Sequence, residues 1–139
     1  MYVVIIGCGT VGSLISDELS RQGHDVVVID NHEASFDNLS SEFSGFCVLG
    51  DPGEIEILKE AKTEKADAVF VTTPKDNLNL MVAQVAKSLF DVPCVVARLS
   101  DSKPEEIFSS LGIQTISPPR MAVEEFLKAI RKFRKFQVL

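Results

Sequence analysis

This 139-residue chain has no run of eighteen apolar residues, and no basic leader precedes the apolar segment that opens at Met1. Neither a membrane span nor a signal peptide is therefore expected, and the chain is read as cytoplasmic and not itself membrane-spanning. Cysteine is sparse: Cys8, Cys47 and Cys94 are scattered and none forms a C-x-x-C pair, which argues against a zinc ribbon or a dithiol redox motif. The two histidines, His24 and His32, sit in turn-like contexts without a partner at metal-ligand spacing, and both read as solvated. The acids form no cluster with calcium-ligand spacing, so no metal is expected. A net charge of −6 argues against general nucleic-acid binding. No linker, low-complexity segment or short-period repeat interrupts the chain, so residues 1–139 are expected to form one domain. No His, Lys or Tyr stands convincingly where a hydride-transfer enzyme needs a proton donor or acceptor. Lys75 comes nearest and reads as solvated, so no catalysis is expected of this chain.

What is present begins at the first strand. Met1 to Ile6 is apolar, and Gly7-Cys8-Gly9-Thr10-Val11-Gly12 follows as a G-x-G-x-x-G turn. Val11, Leu14, Ile15 and Leu19 then repeat at helical spacing, and Val26 to Ile29 is a second strand that ends in Asp30. A glycine turn between strand and helix, with an acid at the tip of the next strand, is the dinucleotide-type fingerprint. Gly7 permits the tight turn, Gly9 lets a phosphate approach the backbone, and Gly12 lets the helix pack closely on the sheet. The helix start offers unpaired N–H groups and the positive end of the dipole to a diphosphate. Asp30 suits ribose hydroxyls and repels a 2′-phosphate, and Asn31-His32 brings no arginine to reverse that preference. NAD, ADP or ATP is thus favoured over NADP. The bland alternative is a turn used only for packing, with Asp30 as a helix cap.

Apolar runs and helical patterns alternate to the end. Phe36, Leu39 and Phe43 mark a short helix, Phe46 to Leu49 a third strand, and Ile55, Leu58 and Ala61 a helix after the Gly50-Asp51-Pro52-Gly53 turn. Ala68 to Val71 is a fourth strand that runs into Thr72-Thr73-Pro74. Leu78, Met81, Val82, Val85, Ala86 and Leu89 mark the next helix, and Pro93 to Ala97 a fifth strand before Arg98. Ile107 and Leu111 mark a short helix opened by Pro104, and Gln114 to Ile116 a sixth strand. A last helix over about 119–136 carries Val123, Phe126, Leu127, Ile130 and Phe133 on one face. Six β-α repeats predict an α/β, Rossmann-like, doubly wound parallel sheet of order 3-2-1-4-5-6. Ligands bind at the carboxyl ends of strands in such a sheet. Gly7 to Gly12, Asp30, Asp51, Thr72, Thr73 and Arg98 should therefore share one edge.

Five segments in this order resemble one family: Ile5 to Gly12; Val28-Ile29-Asp30; Leu49-Gly50-Asp51; Ala66 to Val69 with Thr73, Asp76 and Asn79; and Ala97-Arg98-Leu99 with Leu111-Gly112 and Ile116-Ser117-Pro118. Together they resemble the RCK (TrkA-N, or KTN) domain, the regulatory nucleotide-binding domain of potassium channels and Trk/Ktr-type transporters. The resemblance implies that Asp30 binds the adenosine ribose and that Gly50 and Asp51 lie beside the adenine pocket. Thr72 and Thr73 would close the site near the phosphates or a second ribose. Arg98 would approach the phosphates or stabilise the sheet edge, or else pair with Asp76 or Asp101. The candidate site is thus Gly7, Cys8, Gly9, Thr10, Val11, Gly12, Asp30, Asn31, Gly50, Asp51, Thr72, Thr73 and Arg98, for NAD(H) or ADP, ATP or AMP. Thr10 stands where some ATP-responsive members carry arginine, and the usual C-terminal RCK subdomain is not expected within these residues.

The implied function is a regulatory cytosolic subunit or domain that gates potassium transport by a membrane channel or transporter subunit, peripheral to the inner face of the membrane. The alternative is a nucleotide-binding domain clipped from a larger NAD-dependent enzyme or hydrolase. The last helix is expected to lay one face on its own sheet and to use remaining aromatics to form at least a homodimer. Beyond residue 127 lie five bases, Lys128, Arg131, Lys132, Arg134 and Lys135, and no acid. They form either a solvated helix end or a docking element for an acidic partner or membrane surface.

Overall fold

A computed structural model describes residues 1–100 and 104–138, with side chains through residue 137. Asp101, one expected partner of Arg98, lies outside the described residues. Six parallel strands form one sheet: β1 (Tyr2–Ile6), β2 (Asp25–Asp30), β3 (Phe46–Leu49), β4 (Ala68–Val71), β5 (Cys94–Arg98) and β6 (Gln114–Ile116). Their order is β3-β2-β1-β4-β5-β6, as the alternating pattern predicts. Register runs Tyr2↔Asp25 to Ile6↔Ile29 between β1 and β2, and Val3↔Ala68 to Ile6↔Val71 between β1 and β4. Both faces of the central strands are buried, which is why they read as unbroken valine and isoleucine runs.

Alternate residues feed two cores. Val4, Ile6, Val27, Ile29, Val69, Val71, Val95 and Ala97 meet α2 (Ile55–Glu60), α3 (Asp76–Gln84), the Val85–Leu89 turn that follows it and α4 (Glu105–Ser110) through Leu58, Val82, Ala83, Ala86 and Phe108. On the other face Val3, Ile5, Val26, Val28 and Ala68 meet Cys8, Ile15 and Leu19 of the α1 (Thr10–Arg21) side, with Phe36, Leu39 and Phe43 packed against them. The last three belong to a 3₁₀ turn, Glu33–Asn38, and the loop after it, rather than to an α-helix. Asn38 Nδ2 in that turn donates to Cys8 O at 3.0 Å, tying it to the glycine turn.

Three expected helix faces are corrected. On α1, Val11 and Leu14 are exposed and the residues buried against the sheet are Gly12, Ser13 and Ser16. A helix that approaches a strand this closely has room only for small side chains. Both serine hydroxyls turn back onto their own helix, Ser13 Oγ to Thr10 O at 3.2 Å and Ser16 Oγ to Gly12 O at 2.7 Å. On α4, Phe108 is the buried residue, while Ile107 and Leu111 face out. The largest difference is α5 (Pro118–Val138): Val123, Phe126, Leu127, Ile130 and Phe133 are all exposed. This helix does not cover its own sheet; it projects from β6. Beyond α3 the helix widens to a π turn, Val85–Leu89, where Phe90 N donates to Val85 O.

Candidate functional site

The site is built where the chain leaves β1 on one side of the sheet and β4 on the other. Gly7 N donates to Ile29 O at 2.8 Å, so the turn hangs from β2. Gly7 has φ +99, a left-handed conformation that disfavours any side chain. A Cβ on Gly12 would lie 1.9 Å from Gly7 O and 2.7 Å from Thr72 Oγ1. A Cβ on Gly9 would meet nothing within 4 Å. The three glycines thus differ: two are required by the protein's own packing, and the third faces open space. Gly9 is the residue before the first turn of α1, and its side chain-free surface opens where the helix presents its unpaired N–H groups.

Asp30 holds the turn in place. Its Oδ2 accepts from Cys8 N at 2.8 Å and its Oδ1 from His32 N at 2.8 Å. His32 Nδ1 lies 3.9 Å from Oδ1. These bonds leave the carboxylate fixed at the tip of β2, with 13% of the side chain exposed at the cleft wall. Cys8 points the other way, into the core. Burial, and then the charge of Asp30, pushes its thiol up to about 11, so it is a packing residue that stays protonated at neutral pH.

On the β4 side, Thr72 is buried and its hydroxyl donates to Ile6 O at 3.0 Å and Gly7 O at 3.2 Å, joining the two strand ends. Thr73 Oγ1 donates to Asn79 Oδ1, and Asn79 Nδ2 donates to Thr73 O at 2.7 Å and Arg98 O at 2.9 Å. Asn79 is fully buried, so this amide pins the loop after β4 to the end of β5. Arg98 donates from Nη1 to Thr72 O at 3.5 Å. Asp76, the other expected partner of Arg98, accepts from Ser100 N at 2.8 Å.

Between these two sides lies a cleft of about 390 Å³, lined by Gly7, Gly9, Ile29, Asp30, Asn31, His32, Ser35, Pro52, Thr72, Thr73, Pro74, Lys75, Leu78 and Arg98. That volume lies within the range of about 300–1,000 Å³ common for small-molecule sites. Seven residues named from the sequence meet there: Gly7, Gly9, Asp30, Asn31, Thr72, Thr73 and Arg98. Thr10, Val11 and Gly12 form the first turn of α1 beside it, and Cys8 lies behind it. Gly50 and Asp51 fall outside the lining. Gly50 packs on Ile57, Asp51 Oδ1 accepts from Gly53 N at 2.8 Å, and Pro52 is the residue of this turn that reaches the cleft. His32 and Lys75, which read as solvated in the sequence, both line it. Their signal was positional: each follows within a few residues of a strand's carboxyl end. Among the described residues no group of His, Cys, Asp or Glu is placed to hold a metal, and no helix is long and apolar enough to cross a membrane.

Comparison with known proteins agrees with this architecture. Trk system potassium uptake protein TrkA of Streptomyces coelicolor is 38% identical over 130 residues, covering 94% of this chain and 58% of its own. The TrkA homolog of Methanothermobacter thermautotrophicus is 35% identical over 133 residues, covering 95% and 61%. The chain therefore spans about three-fifths of the length of these relatives. Among solved structures, the TrkA-N domain of the inner membrane protein ybaL of Escherichia coli superposes with TM-score 0.81 at 23% identity, covering 92% of this chain and 95% of that one. The Kef CTD of Shewanella denitrificans in AMP-bound form gives 0.77 at 20% identity, covering 96% and 82%. The GsuK channel bound to NAD gives 0.68 at 21%, covering 84% and 21%. These likenesses are of fold. The TrkA-N domain model matches residues 3–119, and the chain belongs to the TrkA-N domain family.

Proposed function

We propose that this domain is a regulatory nucleotide-binding module, which takes NAD(H) or ADP, ATP or AMP in the cleft and gates potassium transport by a membrane channel or transporter subunit. The observation that carries the reading is the open backbone at Gly9, between a fixed carboxylate on β2 and the Thr72-to-Arg98 side of the cleft. The phosphates lie over the Gly7–Gly12 turn, against the N–H groups of Gly9 to Gly12 and the helix dipole. The ribose hydroxyls donate to Asp30, and Thr72, Thr73 and Arg98 close the far side. Gly50 and Asp51 act through Pro52, at the adenine end. Relatives named for the Trk potassium uptake system support the transport role, and neighbours solved with AMP and with NAD support the ligand class.

The reading assigns binding, not bond chemistry, to this chain. A ligand regulates only by favouring one of two states. In this reading α5 carries that difference to a second copy of the chain, forming at least a homodimer, and to the transporter at the inner face of the membrane. Thermal unfolding with NAD, NADH, AMP, ADP and ATP tests the binding step. At 100 times its dissociation constant a ligand contributes about 2.7 kcal/mol, a rise of roughly 3–6 °C for a domain of this size. Asp30→Asn should abolish that rise measured against the variant's own ligand-free midpoint. No rise with any of these nucleotides would falsify the reading.

A further inference from the structure

The cleft is electrically two-sided. Among the described residues lining it, the acid is Asp30, at the end of β2. His32 is basic when protonated and sits beside that acid, 3.9 Å from it. The two permanently basic residues, Lys75 and Arg98, belong to the loop after β4 and the end of β5. The sheet order puts Asp30, the glycine turn, the β4 loop and Arg98 in that sequence along one edge. A nucleotide whose ribose meets Asp30 and whose first phosphate lies over Gly9 therefore directs its next group toward Lys75 and Arg98.

From this arrangement we infer that Lys75 and Arg98 form a terminal-phosphate subsite and that Lys75 sets the cleft's preference for adenosine di- and triphosphates over AMP and over NAD⁺. The inference rests on the nucleotide-binding reading above and names the ligand within it. A β-phosphate brings anionic oxygens that an ammonium and a guanidinium both bind well. AMP ends before the subsite. NAD⁺ also brings a second phosphate there, but one esterified on both sides and so with less negative charge than the terminal phosphate of ADP. Beyond it come a neutral ribose and a cationic ring that two basic groups do not favour. Lys75 is exposed, and its backbone is fixed: its N–H donates to Thr73 Oγ1 at 3.2 Å and its carbonyl accepts from Asn79 N at 3.0 Å. The ammonium thus swings on a flexible stem from an anchored base. Arg98 is tethered to Thr72 O and less free to adapt.

Calorimetric titration of AMP, ADP and NAD⁺ into the wild type, Lys75→Gln and Lys75→Arg tests this. In the wild type ADP should bind at least about tenfold more tightly than AMP or NAD⁺. Lys75→Gln should collapse the ADP-to-AMP ratio to about threefold or less, and Lys75→Arg should restore it. Higher salt should erode the ADP preference in the wild type more than in Lys75→Gln. Asp30-dependent binding with a ratio that Lys75→Gln leaves intact overturns the subsite alone. Tighter binding of NAD⁺ than of ADP by the wild type also overturns it. Absence of binding by any nucleotide overturns the subsite together with the function it rests on.

Discussion

Gly12 and Gly9 occupy the same motif and do opposite things. A methyl at Gly12 has 1.9 Å to Gly7 O, a backbone atom that cannot yield without moving the turn. Gly12→Ala should therefore cost about 3 kcal/mol in urea unfolding, the upper range for overpacking. Gly9→Ala meets no atom and sits at φ −79, so its stability cost should stay below about 1 kcal/mol while nucleotide affinity falls. Stability and binding would thus separate at two positions three residues apart. Cys8 gives a third prediction at this scale. Its thiol is pushed from 9.0 up to about 11 in the folded chain, so the unfolded chain ionises first as pH rises. The stabilisation is complete below the ordinary thiol value and is lost between it and about 11. Burial also raises Tyr2, which acts in the same direction. At neutral pH the exposed Cys47 and Cys94 should be alkylated in the native protein, and Cys8 only on unfolding; mass spectrometry after labelling reads this directly.

At the scale of elements, the strands were more legible than the helix faces. Phe46–Leu49, Ala68–Val71 and Gln114–Ile116 are strands over the same residues that the apolar runs mark, because turn residues bound each run; the central Ala68–Val71 also buries most of its side chains, whereas the two edge strands leave theirs exposed or half-buried. Helix faces were harder because apolar spacing shows which residues can be buried, not which are. On α1 the closeness of the β-α approach selects Gly12, Ser13 and Ser16, which carry no apolar signal. The glycine turn and Asp30 were legible as a motif, whereas Lys75, His32 and Pro52 enter the cleft through loop paths that periodicity does not encode. α5 shows the same limit at larger size: its apolar stripe was visible, but its failure to lie on its own sheet was not. Met121, Val123, Phe126, Leu127, Ile130 and Phe133 stay exposed along it, a long uncovered apolar surface for a single chain. Light scattering should give at least a dimer, and Phe126→Ala with Phe133→Ala should lower the mass to that of one chain. Retention of a 15.2 kDa mass by the unsubstituted chain would count against self-association through this helix.

For the molecule as a whole, the arrangement of strands decides where chemistry can occur. All six strands are parallel, so their carboxyl ends share an edge, and the order reverses at β1. The glycine turn, Asp30, Thr72 and Arg98 lie 18, 42 and 26 residues apart in turn along the sequence and meet because of that reversal. The order has a consequence in time as well as in space. β1 and β2 pair over a short separation, but the other edge of β1 is filled by β4, and Thr72 bonds back to Ile6 and Gly7 across 66 and 65 residues. Such non-local closures are slow steps in folding. While the chain is being synthesised, the β1 edge stays open until residue 71 has left the ribosome. The glycine turn therefore lacks its second wall until β4 is in place, and under the proposed function a nucleotide would recognise the finished sheet rather than template its early assembly.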